Sequence, residues 1–270
     1  MNEHWIVAVF TLTDDLLTAS AHVSHPLAGV SDAEVLTVAV VAAAYFQNHH
    51  ERALWVMQRL GYLSGRLSTS RFNRRLHRLS TWLDALLQAV TAVAAQAELF
   101  IIDTLPLPVC RRVRASQCRK VRGSPFYGYC AAMEQKFFGW RLHVVYTLDG
   151  LPAAFDLLPA RLHDLTAIHE LTANFGPGAR ILADKGYVSQ ADAQSILTAT
   201  GVQLVATRKK GMPRLSWADE YDLRHFRIRA ESYHSQLVNM GIQRLRARTH
   251  AGFETKVLAS LLALAFSHLN

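Results

Sequence analysis

The sequence predicts an α/β fold: a mixed sheet flanked by helices, preceded by an all-helical region. Three observations predict it. Residues 1–98 carry helical signals almost throughout. From residue 99 short apolar runs recur, two of them ending in an acid, as buried strands do. These runs alternate with helical stretches in the order strand, hairpin of two strands, helix, strand, helix, strand, helix, which is α/β patterning. The chain therefore divides into 1–98, helical, and 99–270, sheet-bearing.

Each element has its own signal. Ser31-Asp32-Ala33-Glu34 has the form of a capping box, and an apolar helix runs from it to Phe46. Gly61 and Gly65 break the pattern. Ser68-Thr69-Ser70 can then cap a helix whose apolar positions Phe72, Leu76, Leu79, Leu83 and Leu86 step by helical intervals. Its other face carries Arg71, Arg74, Arg75 and Arg78. Leu99 to Asp103 reads as a buried strand, and Arg141 to Thr147 as a second. Asp149-Gly150 is a hairpin turn, and Leu151 to Leu158 pairs back. A helix follows around Leu165 to Asn174, a strand at Arg180 to Asp184, a helix at Ser189 to Thr200 and a strand at Val202 to Ala206. Helices are expected at 220–240 and at 253–268, the last apolar nearly all round and so buried. Cys110 to Ser124, polar and basic, reads as a loop.

Composition narrows the function. The 270 residues are 50% hydrophobic and 19% charged, which suits a core-forming chain. The net charge of +8 suits a polyanionic partner, nucleic acid first. No apolar stretch reaches the 18 or more residues that span a bilayer, and the N-terminus lacks signal-peptide features, so no membrane partner is expected and the expected compartment is the cytoplasm. Three cysteines, Cys110, Cys118 and Cys130, form no disulfide framework and no zinc motif. No phosphate-binding G-x-x-x-x-G-K-[ST] loop and no Gly-x-Ser-x-Gly elbow occurs, which excludes the common ATPase and serine hydrolase signatures. His49-His50-Glu51 groups three potential ligands, but among thirteen histidines such grouping arises cheaply.

Asp103 and Asp184 stand at the ends of predicted strands, where open α/β sheets place their sites. A buried carboxylate is costly unless paired or metal-bound, although Asp also ends strands simply by starting turns. Glu231 lies between Ile228 and Val238 on the helical wheel, beside Ser235, at the edge of a face that can pack on the sheet; a solvated helix Glu is the plain alternative. Carboxylates in such a set suit Mg²⁺ or Mn²⁺, and two such ions can activate a water or 3′-hydroxyl for phosphodiester cleavage. Basic clusters surround these acids: Arg111, Arg112, Arg114, Arg119, Lys120 and Arg122; Arg208, Lys209 and Lys210; Arg244, Arg246 and Arg248. Any one is readable as a solvated face, but together they form a candidate DNA track. The Arg71–Leu79 helix is a candidate DNA-reading element, with Asn73 or Arg74 at base edges.

These residues also carry a family resemblance. Phe100 to Cys110 (FIIDTLPLPVC) resembles the first-Asp block of bacterial insertion-sequence transposases of the DDE type, specifically insertion-sequence family 982. Gly128-Tyr129-Cys130-Ala131 with Phe137 to His143 resembles its second block, and Gly150-Leu151-Pro152 with Pro159 and His163-Asp164 its third. Ile181 to Tyr187 resembles the second-Asp block. Arg227 to Glu231 with Ser235-Gln236-Leu237 resembles the Glu block, whose tail matches Arg248-Thr249 and Gly252-Phe253. The match runs from about residue 68 to 266, and its specificity lies in the order of the blocks.

The resemblance implies an RNase H-like core with Asp103, Asp184 and Glu231 as catalytic metal ligands holding two Mg²⁺ or Mn²⁺ ions. It implies a DNA-end-binding role for 1–98. The implied activity is phosphodiester hydrolysis at transposon ends and transfer of the 3′-hydroxyl strand into target DNA. The partners are double-stranded terminal inverted repeats and target DNA, handled by a homodimer or larger assembly in a bacterial, nucleoid-associated setting. A decayed DNA-binding protein, or a nuclease without strand transfer, is the alternative. Related transposases carry Tyr-x2-Arg-x3-Glu-x6-Lys; here Arg227 keeps the Arg position, for phosphate binding, while Arg224 and Val238 replace the Tyr and Lys.

Overall fold

The computed structural model describes residues 1–92, 97–131 and 134–269. The chain forms two compact units: 1–90 with 236–270, and 91–235. Residues 236–270 group with the N-terminal helices rather than with the sheet.

The helical unit holds α1 (Glu3–Ala19), α2 (Asp32–Phe46), α3 (His50–Arg59), α4 (Thr69–Arg78), α5 (Ser80–Thr91) and, from the far end of the chain, α10 (His250–His268). The capping box at Ser31 and Glu34 starts α2, which is buried from Asp32 to Ala43. Its partner α10 is likewise buried along most of its length. Two helices apolar on all sides need cover all round, which is why the C-terminal segment belongs with this unit. Side chains tie the pair. The Asn48 Nδ2 donates to Ser260 Oγ at 3.0 Å, and Lys256 Nζ donates to the Asn48 carbonyl at 2.7 Å. The single helix expected through Phe72 and Leu86 is two: the chain breaks at Leu79, the C-cap of α4, and restarts at Ser80.

The sheet unit holds β1 (Leu99–Cys110), β2 (Tyr127–Cys130), β3 (Gln135–Thr147), β4 (Pro152–Pro159), α6 (Leu165–Thr172), β5 (Arg180–Ala183), α7 (Gln190–Thr200), β6 (Gln203–Ala206) and α8 (Trp217–Phe226). Helix α9 (Arg229–Asn239) begins in this unit. β1 pairs antiparallel with β3 and parallel with β5, β5 parallel with β6, and β3 antiparallel with β4. The order β4-β3-β1-β5-β6 mixes parallel and antiparallel neighbours, the mixed sheet that the sequence predicts. The short β2, which the sequence did not announce, pairs with the start of β3. Phe100, Ile102, Val145, Ile181 and Ala183 pack one face of the sheet against α6 and α7. The expected loop after Cys110 contains a 3-10 turn, Arg112–Gln117. The helix expected over 220–240 is interrupted between Phe226 and Arg229.

Candidate active site

The site is set by strand register. Leu99, Phe100 and Ile101 of β1 stand opposite Arg180, Ile181 and Leu182 of β5. Two residues beyond the last pair lie Asp103 and Asp184. Parallel neighbours in register present side chains on the same face, so these two carboxylates share a face. It is the face opposite the Phe100, Ile102 and Ile181 core, because side chains alternate along a strand. Asp184 follows the last residue of β5, as the sequence predicted. Asp103 does not end its strand: β1 continues seven residues past it to Cys110.

Helix α9 covers this face. His234 Nδ1 stands 3.7 Å from Asp103 Oδ2, and the His234 ring meets Tyr146 of β3 edge-on with centroids 5.7 Å apart. Tyr233 lies against the same Tyr146, and its hydroxyl donates to the Leu148 carbonyl at 2.6 Å. The packed side of α9 is therefore Ala230, Tyr233 and His234, with Ile228 exposed at 59% and Val238 at 38%. The expected Ile228–Val238 face is not the buried one. Helix α9 starts at Arg229, so Ile228 never joined its helical phase. Glu231 occupies the exposed first turn, its side chain 59% accessible. The Arg227 guanidinium reaches its Oε1 at 3.5 Å, a long contact that water screens.

Electrostatics link the three acids. Burial pushes the Asp103 carboxyl up to about 6. The Thr104 backbone N–H, donating to its Oδ1 at 2.8 Å, and the charge of Arg227 work against that rise, while the charges of Asp184 and Glu231 add to it. Asp103 thus lies within the fields of both other acids. Burial drives His234 down to about 4, so it is a neutral ring beside this carboxylate at pH 7. Tyr146 is pushed well above the tyrosine range by burial, then by the charge of Asp103. Neither the Tyr146 hydroxyl nor His234 Nε2 has a hydrogen-bond partner among the described residues. Like-charged carboxylates with buried polar atoms lacking partners beside them fit, in donor chemistry, a hard divalent cation. Among the described residues no three His, Cys, Asp or Glu side chains stand close enough to close around one.

A second network braces the two strands. On the opposite face the Thr104 hydroxyl meets the Tyr187 hydroxyl at 2.7 Å and His143 Nδ1 at 3.1 Å. The Tyr187 hydroxyl also meets His143 Nδ1, at 2.8 Å. Thr104 follows Asp103, and Tyr187 lies in the turn after Asp184, so the cluster fixes one acid's backbone against the other's. Gly186 belongs to that turn for want of space: a Cβ there would lie 2.7 Å from Asp164 Oδ2. Asp164 is itself held by Arg141 at 2.8 Å. His234, Tyr146 and Tyr187 were not singled out from sequence as functional. Glu231-x2-His234 has the spacing of half a di-iron helical motif, but the sequence holds no second Glu-x-x-His to complete it.

The expected DNA-contact residues are distributed unevenly. Arg71, Arg74 and Arg78 of α4 are exposed, as are Arg111, Arg112, Arg114 and Arg119, and Arg208, Lys209 and Lys210 after β6. Arg75 is committed inward, its Nη1 donating to the Val30 carbonyl at 2.7 Å and its Nε and Nη2 to Asp32 Oδ1. Lys120 Nζ donates to the Val109 carbonyl at 2.6 Å, and Arg112 lies over the Tyr127 ring. No described helix is long and apolar enough to cross a membrane.

A family model described as a transposase DDE domain matches residues 94–266. No curated protein matches the chain. Among solved structures it is similar to a Mos1 transposase paired-end complex with left transposon end, at 13% identity over 82% of this chain and 81% of that one, with a TM-score of 0.25. It is similar to a pre-cleavage Mos1 transpososome at 11% identity, with the same coverage and a TM-score of 0.21.

Proposed function

The chain belongs to the transposase DDE domain family, and from that membership we propose that it cleaves phosphodiesters at the ends of its own mobile element and joins the freed 3′-hydroxyl to target DNA. Within the family, the block motifs favour the branch of insertion-sequence family 982. One observation carries the reading: Asp103 and Asp184 share a face at adjacent register positions, and Asp103 feels both Asp184 and Glu231.

Asp103, Asp184 and Glu231 would hold Mg²⁺ or Mn²⁺. Two such ions, when bound, supply a Lewis-acid clamp on the attacking and leaving oxygens of an in-line displacement. The chain's own residues prepare that role. Burial, with a smaller addition from the charges of Asp184 and Glu231, raises the Asp103 carboxyl against the opposing charge of Arg227. The Thr104 N–H fixes one of its oxygens and leaves Oδ2 toward His234. Helix α9 orients Glu231 from a turn anchored through Tyr233 and Arg229 to the Leu148 carbonyl. Arg227, one helical turn before Glu231, is placed to meet a phosphate. The partners are the double-stranded terminal repeats and target DNA, engaged through the exposed basic residues of α4 and of the segments after β1 and β6. Two ends must be handled together, so a homodimer or larger assembly on DNA is the working form, in the bacterial cytoplasm.

The test is end cleavage in Mg²⁺ by Asp103→Asn, Asp184→Asn and Glu231→Gln. Each variant is expected to lose cleavage while still binding duplex; wild-type cleavage by any of them removes that residue from the site. Joining of pre-cleaved ends separates a transposase from a nuclease without strand transfer. Loss of carboxylate-dependent Mn²⁺ binding in calorimetry would instead mark a decayed DNA-binding protein.

A further inference from the structure

The helical unit contains a cavity of about 930 Å³ between α3, α4, the segment leading into α10, and α10 itself. Its walls are cationic. They include Arg52, Arg244, Arg246, Arg248 and Lys256, with the imidazoles of His50 and His77 beside them; Glu51 is the acid among the lining residues. Small-molecule pockets of this size are mostly apolar, and this one is not.

Three helices also begin at this cavity. The lining includes His50, Glu51 and Arg52 in the first turn of α3, Thr69 and Ser70 in that of α4, and Gly252 in that of α10. A helix N-terminus presents unsatisfied N–H groups and the positive end of its dipole. Side chains cap α4 and α10, but α3 has no side-chain cap.

Two buried groups lining the cavity lack what they need. Lys256 is 9% exposed and forms no ion pair among the described residues; its Nζ meets the Asn48 carbonyl. Burial alone draws its ammonium down to about 8. His50 is 8% exposed. Its Nδ1 meets Asn73 Oδ1 at 2.8 Å, and the Asn73 amide donates to the Thr69 carbonyl, which fixes that oxygen toward the ring. The ring proton therefore sits on Nδ1, and Nε2 has no partner. A buried cation without a counter-ion is costly, and an anion in the cavity supplies one. The same anion lets Nε2 take a proton and donate.

We propose that this cavity is a phosphate-binding site of the helical unit, and that its occupant is the sugar–phosphate backbone of duplex DNA. Backbone rather than free phosphate follows from the rim. Arg244, Arg246 and Arg248 are exposed at alternate positions along one segment, a row of charges suited to successive phosphates rather than to one. The site uses the Asn73 and His77 side of α4, not Arg75. It rests on the DNA-acting reading of the chain but not on the three acids.

The experiment is duplex binding by the full-length protein, followed by anisotropy across a salt series. Arg246→Ala/Arg248→Ala removes two exposed charges, and circular dichroism confirms its fold. Arg59→Ala/Arg66→Ala is the equal-charge control. The cavity variant is expected to bind about tenfold more weakly and to lower the salt slope by about 2, with the control near wild type. An unchanged slope, or an equal loss in the control, overturns the site. Inorganic phosphate titrated at constant ionic strength is the second arm. If it binds through Arg246 and Arg248 while duplex affinity ignores them, the occupant is free phosphate and the proposal fails. If cleavage proves independent of the acids while the slope still falls, the catalytic reading fails and this site stands.

Discussion

The two units handle charge in opposite ways. In the sheet unit burial, with a smaller addition from the charges of Asp184 and Glu231, pushes Asp103 up to about 6. In the helical unit, three helix N-termini border a cavity whose buried Lys256 is drawn down to about 8. One unit lacks a cation and the other an anion. Both deficits come from the same physics, the cost of removing a charge from water without a partner. On the proposed function, which needs both divalent cations and a polyanion, each would be provided for in its own unit.

The largest effect expected breaks the sheet side of this comparison. Asp184→Asn should lower Mg²⁺-dependent cleavage more than about 100-fold, and His234→Ala by about 10–100-fold, as neighbours of metal ligands do. Because His234 is neutral and only near Asp103, its loss should shift the Mg²⁺ concentration needed for half-maximal cleavage. A His234→Ala enzyme with a wild-type metal requirement would reduce that residue to packing.

Acidification tests both units together. Burial lowers His50 to about 4, as does the charge of Lys256; the Asn73 contact opposes. Burial likewise lowers His143 to about 4, against the charge of Asp164. Each has a folded value below its unfolded value of about 6.5, so the unfolded chain binds more protons between those values. Their contribution to stability is whole above pH 6.5 and is lost as pH falls toward 4. Denaturant melts at pH 7.5, 6 and 5 should show falling midpoints. His143→Gln should flatten the trend in the sheet unit, and an unaltered trend would show that His143 is not buried neutral.

Much of this was legible in the sequence, for definable reasons. Strands β3 to β6 and the all-round apolar α10 follow from periodicity, and Asp184 from an apolar run ending in an acid. The extent of β1 was not legible, because Pro106 and Pro108 read as strand breakers. Their spacing of two points both ring nitrogens to one edge, and β5 pairs with β1 only as far as Ile101, so no ladder bond is lost there. The inward side of α9 was misread because its phase was carried across the break at Ile228. Lys256 and His50 were illegible as a site because they meet only in the fold, from positions 206 residues apart in the chain.

Arg75 offers a smaller effect that sharpens the helical side. It shares α4 with Arg71 and Arg78, but its guanidinium is tied to Asp32 and the Val30 carbonyl. Arg75→Ala should cost about 1–3 kcal/mol of stability by leaving those acceptors unmet. Arg71→Ala should leave the melting midpoint within about 0.5 kcal/mol and weaken duplex binding instead. Equal stability losses in the two variants would erase the distinction between a tie and a contact.

Tyr187→Phe is expected to act least, and it asks whether the two acids are positioned by their strands alone. The substitution keeps the ring in its core and removes the hydroxyl that joins Thr104 to His143. Those two retain each other at 3.1 Å, so neither is stranded and the cost should stay at about 1 kcal/mol. Register between β1 and β5 is set by Leu99, Phe100 and Ile101 against their partners, which the substitution does not touch. Cleavage should therefore fall only severalfold, with Mg²⁺ dependence intact. A loss as deep as that of Asp184→Asn would mean that the turn after β5, rather than the strand pairing, fixes Asp184 opposite Asp103.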